Sequence, residues 1–87
     1  MPSKARKTPV RLPEKLLAIR KRFGLSQNEI LIKLNAGPEI NRGKISEYER
    51  GKRVPPLYII LAYARAAGTS MEVLVDDELE FSDDVRK

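Results

Sequence analysis

Cysteine and histidine are both absent from this sequence of 87 residues. Without cysteine the chain can form neither a disulfide framework nor a thiolate metal site. Without histidine it lacks the usual general base of enzymes and the commonest metal ligand. A chain of this length has room for one small domain, which leaves little space for an enzyme pocket. We therefore expect no catalytic site, no metal ion and no cofactor.

Long hydrophobic runs are also missing. The longest one, Leu57 to Ala64, is far too short to span a bilayer. Three of the first seven residues are basic, but no apolar stretch follows them, so we expect no signal peptide at this end. These two features predict a soluble protein with no membrane partner, located in the cytoplasm or associated with the nucleoid.

Positive charge is in excess, and it is unevenly distributed. The sequence has 17 basic and 12 acidic residues, a net charge of +5. Residues 76–87 contain six of the acids and only two of the bases, so residues 1–75 alone carry a net charge of +9. A basic body is typical of a protein that binds a polyanion, although many solvated surfaces are basic as well.

Helix signals dominate the first half of the chain, and no strand pattern is present. Pro13 suits the first position of a helix, and Gly24 is placed to end that helix in a left-handed conformation. Ser26 and Glu29 have the spacing of a capping box, which predicts the start of a second helix. A turn rich in helix breakers follows over residues 35–40.

Three further helices are predicted in the second half. Asn41 is an effective N-cap for a third helix that ends at Gly51. A fourth helix is expected over residues 56–67, and Ser70 is placed to cap a short fifth one. The pattern therefore predicts an all-α fold of five short helices.

Both ends of the chain differ in composition from the helical part. Residues 1–11 contain four basic residues, no acid and two prolines, which is too little apolar surface to offset the entropy of ordering. We expect them to form a flexible basic arm, and residues 76–87 to form an acidic tail. The predicted architecture is one compact helical domain over residues 12–75 between these two segments.

Three segments carry a resemblance to a known family: GLSQNEI, ISEYERGKRVPP and YARAAGTSMEVL. They resemble the helix-turn-helix family of phage repressors and Cro proteins, the xenobiotic-response-element class, and the likeness covers roughly residues 12–75. The string IS-x-YERG at 45–51, followed by a proline and a terminal helix pair, is its most specific part. The resemblance implies a repressor-like domain that binds double-stranded DNA sequence-specifically as a transcriptional repressor or regulator. The third helix, about residues 42–50, would lie in the major groove.

The third helix has two sides that differ in character. Ile45, Tyr48 and Glu49 cluster on one side, which we expect to face the core. The candidates for base contacts lie on the other side and its flanks: Arg42, Gly43, Lys44 and Glu47. The basic side chains could bond guanine O6 and N7, the glutamate could accept from cytosine N4, and the glycine would allow close approach. The alternative is a solvated charged face.

Phosphate contacts are expected around this helix. The candidates are Gln27, Ser46, Arg50, Lys52 and Arg53. Gln27 lies in the first turn of the second helix, where free backbone N–H groups and the helix dipole would assist its side-chain amide. Alternatively, Gln27 is an ordinary residue of the first helical turn. The alternative for the basic loop is that its side chains are only solvated. The arm at 1–11 is expected to reach along DNA phosphates, with a solvated tail as its alternative.

The resemblance also implies a structural ion pair between Arg20 and Glu49, because relatives carry such a pair at the matching positions. Its expected role is to orient the third helix. Two features depart from the family: Leu31 stands where a small residue is usual, and the turn after Leu34 is longer. The family joins these helices by a tight turn, whereas the eleven steps from Leu34 to Ile45 leave about four extra residues. The two helices are therefore expected to be spaced or tilted differently.

The fourth helix is apolar on every side. Leu57, Ile60, Leu61 and Ala64 suffice for its core face, and the remaining apolar residues are Tyr58, Ile59 and Ala62. A helix that is apolar all round is normally buried all round. We therefore expect these three residues to form the face of a homodimer. The alternative cover is the chain's own tail, through Leu79, Phe81 and Val85.

A different class of function remains open. The acidic tail also contains apolar residues, so it could bind a basic protein partner. In that alternative the protein is antitoxin-like or an adaptor, and the helical fold serves as a platform.

Overall fold

The computed structural model describes residues 9–81. Its five helices are α1 (Leu12–Arg22), α2 (Gln27–Leu34), α3 (Arg42–Glu49), α4 (Leu57–Ala67) and α5 (Met71–Val75). No strand occurs among the described residues, so the predicted all-α fold of five helices is confirmed. Over the same residues, no helix has both the length and the apolar character needed to cross a membrane.

Local side-chain caps start three of the helices where the sequence predicted them. The Ser26 hydroxyl accepts from the backbone N–H of Glu29, whose carboxylate accepts in turn from the N–H of Ser26, which completes the capping box. Asn41 and Ser70 accept in the same way from the amides three residues further on. Gly24 has a φ of +67° just beyond α1, a conformation that favours glycine. The starts of α2, α3 and α5 are therefore fixed by local sequence.

All five helices contribute to one hydrophobic core. α3 packs against α1 and α2, while α4 packs against α1, α2 and α5. Ile45 and Tyr48 are buried, so the predicted inward side of α3 is confirmed. The largest fully buried side chains are those of Tyr48, Tyr63, Leu16, Ile19, Ile30, Ile45, Ile59 and Leu74. The core therefore holds α3 by one side and leaves its opposite side to solvent.

The long turn between α2 and α3 is anchored in this core. Asn35 ends α2 in a left-handed conformation with a φ of +53°. Ala36 and Ile40 are both buried, so the two ends of the turn are fixed by packing. The extra residues therefore form a packed connection, and they set the position at which α3 begins.

The rotation of α4 differs from the prediction. Ile59 is 0% exposed and packs in the core, whereas Leu57, predicted to face inward, is 72% exposed. The predicted dimer face is therefore wrong for Ile59. Arg65, the one charged residue of α4, is exposed and lies at helical spacing from Tyr58, Leu61 and Ala62, so it marks an outer stripe that the prediction did not use. The large side chain of Tyr63 lies on the same stripe as Ile59, and burying both removes more apolar surface from water.

The segments flanking the helices are held together where they are described. The Asp77 carboxylate accepts from the backbone N–H groups of Val10 and Arg11, so the predicted flexible arm is wrong for these two residues. Lys15 is 3% exposed, and its Nζ donates to the carbonyl oxygens of Val73 (2.7 Å), Asp76 (3.0 Å) and Leu79 (2.9 Å). Phe81 packs against the core and is partly buried. The remainder of the predicted arm and tail, residues 1–8 and 82–87, including Val85, lies outside the described residues.

Lys15 should be important for stability because it satisfies three carbonyl groups from a buried position. We expect Lys15→Met to lower the free energy of unfolding by about 2–4 kcal/mol, since it leaves buried acceptors without their charged donor. Urea denaturation would measure the change. Lys21→Met, at an exposed position of the same helix, is the matched control and should change stability little. Equal losses for the two variants would contradict the assignment.

Candidate nucleic-acid interface

The position of α3 is held by an ion pair with α1. Arg20 Nε lies 2.7 Å from Glu49 Oε2, and Arg20 Nη2 lies 3.0 Å from Glu49 Oε1. The Glu49 side chain is 5% exposed and that of Arg20 is 18% exposed. This bidentate geometry is the strongest form of such a pair. The ion pair that the resemblance implied is therefore present, and it links the last turn of α3 to α1.

The same arginine and glutamate also reach α2 and the turn before it. Arg20 Nη1 donates to the carbonyl oxygen of Leu25 at 2.9 Å, and Gln27 Nε2 donates to Glu49 Oε1 at 3.2 Å. Three helices thus meet at one hydrogen-bonded cluster. The phosphate contact expected of Gln27 stays a prediction. An amide has a second N–H, so the bond to Glu49 leaves one donor of Gln27 for another acceptor.

The first turn of α3 presents two exposed residues, Arg42 and Gly43, followed by half-buried Lys44. A Cβ atom built on Gly43 would lie 3.3 Å from Asn41 Oδ1, the atom that accepts from the backbone N–H of Lys44. Glycine at this position therefore protects the helix cap. The sequence suggested only close approach to DNA for Gly43, and the cap is a second, structural reason for it.

Glu47 and Arg53 are paired with each other across the end of α3. Arg53 Nε lies 2.7 Å from Glu47 Oε1, and both side chains remain partly exposed. The hydrogen bond from Arg53 lowers the pKa of Glu47, and the positive charges of Arg53, Arg50 and Lys44 act in the same direction. The Glu47 carboxylate is therefore ionised at neutral pH and acts only as an acceptor. Sequence reasoning assigned these two residues separate roles and missed the pair.

The other phosphate candidates lie along the same side of α3 and in the loop behind it. Arg50 Nε donates to Ser46 Oγ at 3.2 Å, which aligns the arginine along the outward side of the helix. Lys52 is exposed, and its backbone N–H donates to the carbonyl oxygen of Glu47 at 2.9 Å. The structure thus brings together Gln27 with Glu49, Ser46 with Arg50, and Glu47 with Arg53.

The remaining predicted residues lie on α4, away from these pairs. Tyr58 is 52% exposed and Ala62 is half-buried, and both line a groove of about 470 Å³ between α2 and α4. Ile59 is excluded from this face by its burial. The outer side of α4 therefore consists of the exposed Leu57, Tyr58 and Arg65 and the half-buried Leu61 and Ala62.

Comparison with known proteins assigns no family to this geometry. No protein-family model matches the sequence, and no curated protein matches it. A function must therefore be argued from the charge, exposure and contacts of the described residues.

Arg20 and Glu49 should be energetically coupled. We expect Arg20→Ala to lower the free energy of unfolding by about 2–4 kcal/mol, because Glu49 is left as an unpaired, buried carboxylate. Combining it with Glu49→Ala should cost less than the sum of the single changes, with a coupling of about 1–3 kcal/mol. Urea denaturation of the four proteins would measure this cycle. The exposed Lys21→Ala in place of Arg20→Ala provides a control cycle, and additive losses in both cycles would contradict the coupling.

Proposed function

We propose that the protein binds double-stranded DNA in a sequence-specific manner and acts as a transcriptional repressor or regulator. The observation that carries this proposal is the fixed orientation of α3. The Arg20–Glu49 pair and Gln27 hold the helix against α1 and α2, and its outward side is left free. A rigid helix with one free, polar side is what insertion into the major groove requires.

The charge around α3 supports a polyanionic partner. Residues 42–53 contain five basic and two acidic residues. Both acids are already paired within the chain, Glu49 with Arg20 and Glu47 with Arg53. Arg42 and Lys44 form no side-chain hydrogen bond within residues 9–81 and are available to a ligand. The accessible charge on this side is therefore positive, as phosphate binding requires.

Base contacts are assigned to the first turns of α3 because recognition helices read bases mainly through their N-terminal residues. In this proposal Arg42 and Lys44 bond guanine acceptors, and Gly43 gives the backbone close access. Glu47 accepts from cytosine N4 when Arg53 moves from it to a phosphate. Ser46, Arg50 and Lys52 contact the backbone on either side. Gln27 uses its second N–H for a phosphate at the N-terminus of α2.

The exposed face of α4 is proposed as a homodimer interface. Leu57 and Tyr58 are among the few large apolar residues that the described chain leaves exposed. Together with Leu61 and Ala62 they form an apolar patch on the outer side of α4, which Arg65 borders. A two-fold dimer through this face would allow two copies of α3 to read successive major-groove turns, about 34 Å apart.

The alternative function, a protein-binding adaptor with an acidic tail, has less support. The carboxylates of Asp77 and Glu80 already accept hydrogen bonds from Val10 and Arg11 of the same chain. Within residues 76–81, the tail is therefore engaged in its own domain. No described contact favours a basic protein partner over DNA.

Selection of duplexes from a random library should yield a consensus sequence. If about four to eight phosphates are neutralised, the affinity for that duplex should fall with salt at a log–log slope near −4 to −7. Fluorescence anisotropy at several salt concentrations would measure the slope. Failure to obtain a consensus, or an affinity that ignores salt, would contradict sequence-specific binding.

Variants of α3 and its loop separate base contacts from phosphate contacts in the same assay. Arg42→Ala and Glu47→Ala should relax the base preference at particular positions, each by about 1–3 kcal/mol. Lys52→Ala is the matched control, because loss of a phosphate contact should weaken binding to all sequences alike. An unchanged consensus with Glu47→Ala would remove this residue from the base-reading set.

The dimer proposal predicts a concentration-dependent mass. The unmodified chain should sediment as a dimer at tens of micromolar, and Tyr58→Glu should make it monomeric because a buried, unpaired charge is costly. Val54→Glu places the same charge at an exposed apolar position outside α4 and should leave the dimer intact. A monomer for the unmodified chain would exclude this interface.

A further inference from the structure

We propose that the carboxylates of Asp77 and Glu80 are positioning residues for DNA binding: they fix the start of the basic N-terminal segment beside the α3–α4 loop. This inference rests on the proposed function. Negative charges repel a polyanion, yet these two carboxylates should strengthen the binding of DNA.

Asp77 binds the backbone just before α1. Its Oδ2 accepts from the N–H of Val10 at 3.0 Å, and its Oδ1 accepts from the N–H of Arg11 at 2.9 Å. These two hydrogen bonds lower the pKa of Asp77, so the group is ionised at neutral pH. One carboxylate thus holds two consecutive peptide groups from 66 and 67 residues earlier in the sequence.

The side chain of Arg11 also binds the acidic segment. Its Nη1 donates to the carbonyl oxygen of Asp77 at 3.0 Å, and its Nη2 donates to Glu80 Oε1 at 2.9 Å. Its Nε donates to Glu14 Oε2 at 3.2 Å, which ties the same guanidinium to the first turn of α1. Both the backbone and the side chain of Arg11 are therefore committed within the protein.

The acidic segment is itself attached to α1 by a different residue. The three hydrogen bonds from Lys15 to the carbonyls of Val73, Asp76 and Leu79 hold it there without any help from the N-terminal residues. Asp77 is therefore a fixed point on the domain. Val10 and Arg11 are bound to that point.

The segment held in this way begins next to the proposed DNA-binding surface. Pro9 lines a small cavity of about 30 Å³ together with Gly51, Arg53 and Val54 of the loop after α3. In the same region a Cβ atom on Gly51 would lie 3.4 Å from Pro13 Cγ, so the loop packs directly on the start of α1. Pro9, the first described residue, therefore lies beside the basic loop.

The residues before Pro9 carry the positive charges that the anchor would keep close to the DNA. Lys4, Arg6 and Lys7 are basic, and none of residues 1–8 is acidic. Eight extended residues span at most about 29 Å, which is enough to follow the phosphates next to the α3–α4 loop. If the anchor were lost, the tether between α1 and the three charges would be longer by up to three residues. A longer tether lowers the effective concentration of the three charges at the DNA.

The experiment compares two acid-to-amide variants of the full chain on the selected duplex. Asp77→Asn should weaken binding by about 3–10-fold, because the amide has one acceptor oxygen for two N–H groups and loosens the start of the basic segment. Glu78→Gln is the matched control: Glu78 is exposed in the same segment, and its side chain forms no hydrogen bond within residues 9–81. Charge alone predicts equal or tighter binding for both variants, so equal or tighter binding by Asp77→Asn would overturn the proposal.

A second arm tests whether the effect passes through the basic residues. In a chain carrying Lys4→Gln, Arg6→Gln and Lys7→Gln, the loss caused by Asp77→Asn should shrink to less than about twofold. An undiminished loss would mean that Asp77 acts elsewhere, and would overturn the proposal while leaving sequence-specific binding intact. If the unmodified chain binds no duplex, both the proposed function and this inference fail.

Amide hydrogen exchange of the DNA-free protein provides a readout that does not depend on binding. The N–H groups of Val10 and Arg11 should be protected in the unmodified chain and in Glu78→Gln, and should exchange faster in Asp77→Asn. The amides of α3 serve as an internal measure of folding, and their protection should be equal in all three proteins. Rapid exchange of Val10 and Arg11 in the unmodified chain would overturn the anchor itself.

Discussion

The interaction between Arg20 and Glu49 fixes the position of α3 relative to α1 and α2. It joins the last turn of α3 to α1, and through Leu25 and Gln27 it joins both to the start of α2. A buried pair of this kind adds little net stability against an apolar alternative, but removing one partner is costly. Its role is therefore geometric, because two parallel hydrogen bonds constrain the orientation of α3 relative to α1.

Much of this arrangement follows from local sequence signals. Ser26, Asn41 and Ser70 start their helices through short-range hydrogen bonds, so caps read from the sequence agree with the structure. The Arg20–Glu49 pair was predicted from the family resemblance, because periodicity places both residues only at the edge of a core face. The rotation of α4 was wrong at Ile59 because the prediction did not use Arg65, whose charge marks the outer stripe of the helix.

The contacts that sequence reasoning missed join residues far apart in the chain. Lys15 lies in the apolar stripe of α1, a signal that could have identified it as buried, but its partners are 58 to 64 residues away. Asp77 looked like one more acid in a charged tail. Glu47 and Arg53 are only six residues apart, yet they pair across the end of α3. Local patterns carry no information about such pairs.

The buried lysine also constrains how the protein folds during its synthesis. Lys15 is synthesised before its three acceptors, which lie 58 to 64 residues later in the chain, at residues 73, 76 and 79. Until those residues leave the ribosome, the lysine must stay hydrated, and α1 cannot bury the face on which it lies. A nascent chain therefore contains α2 to α4 before α1 can dock fully, and that docking waits for residues 73–79.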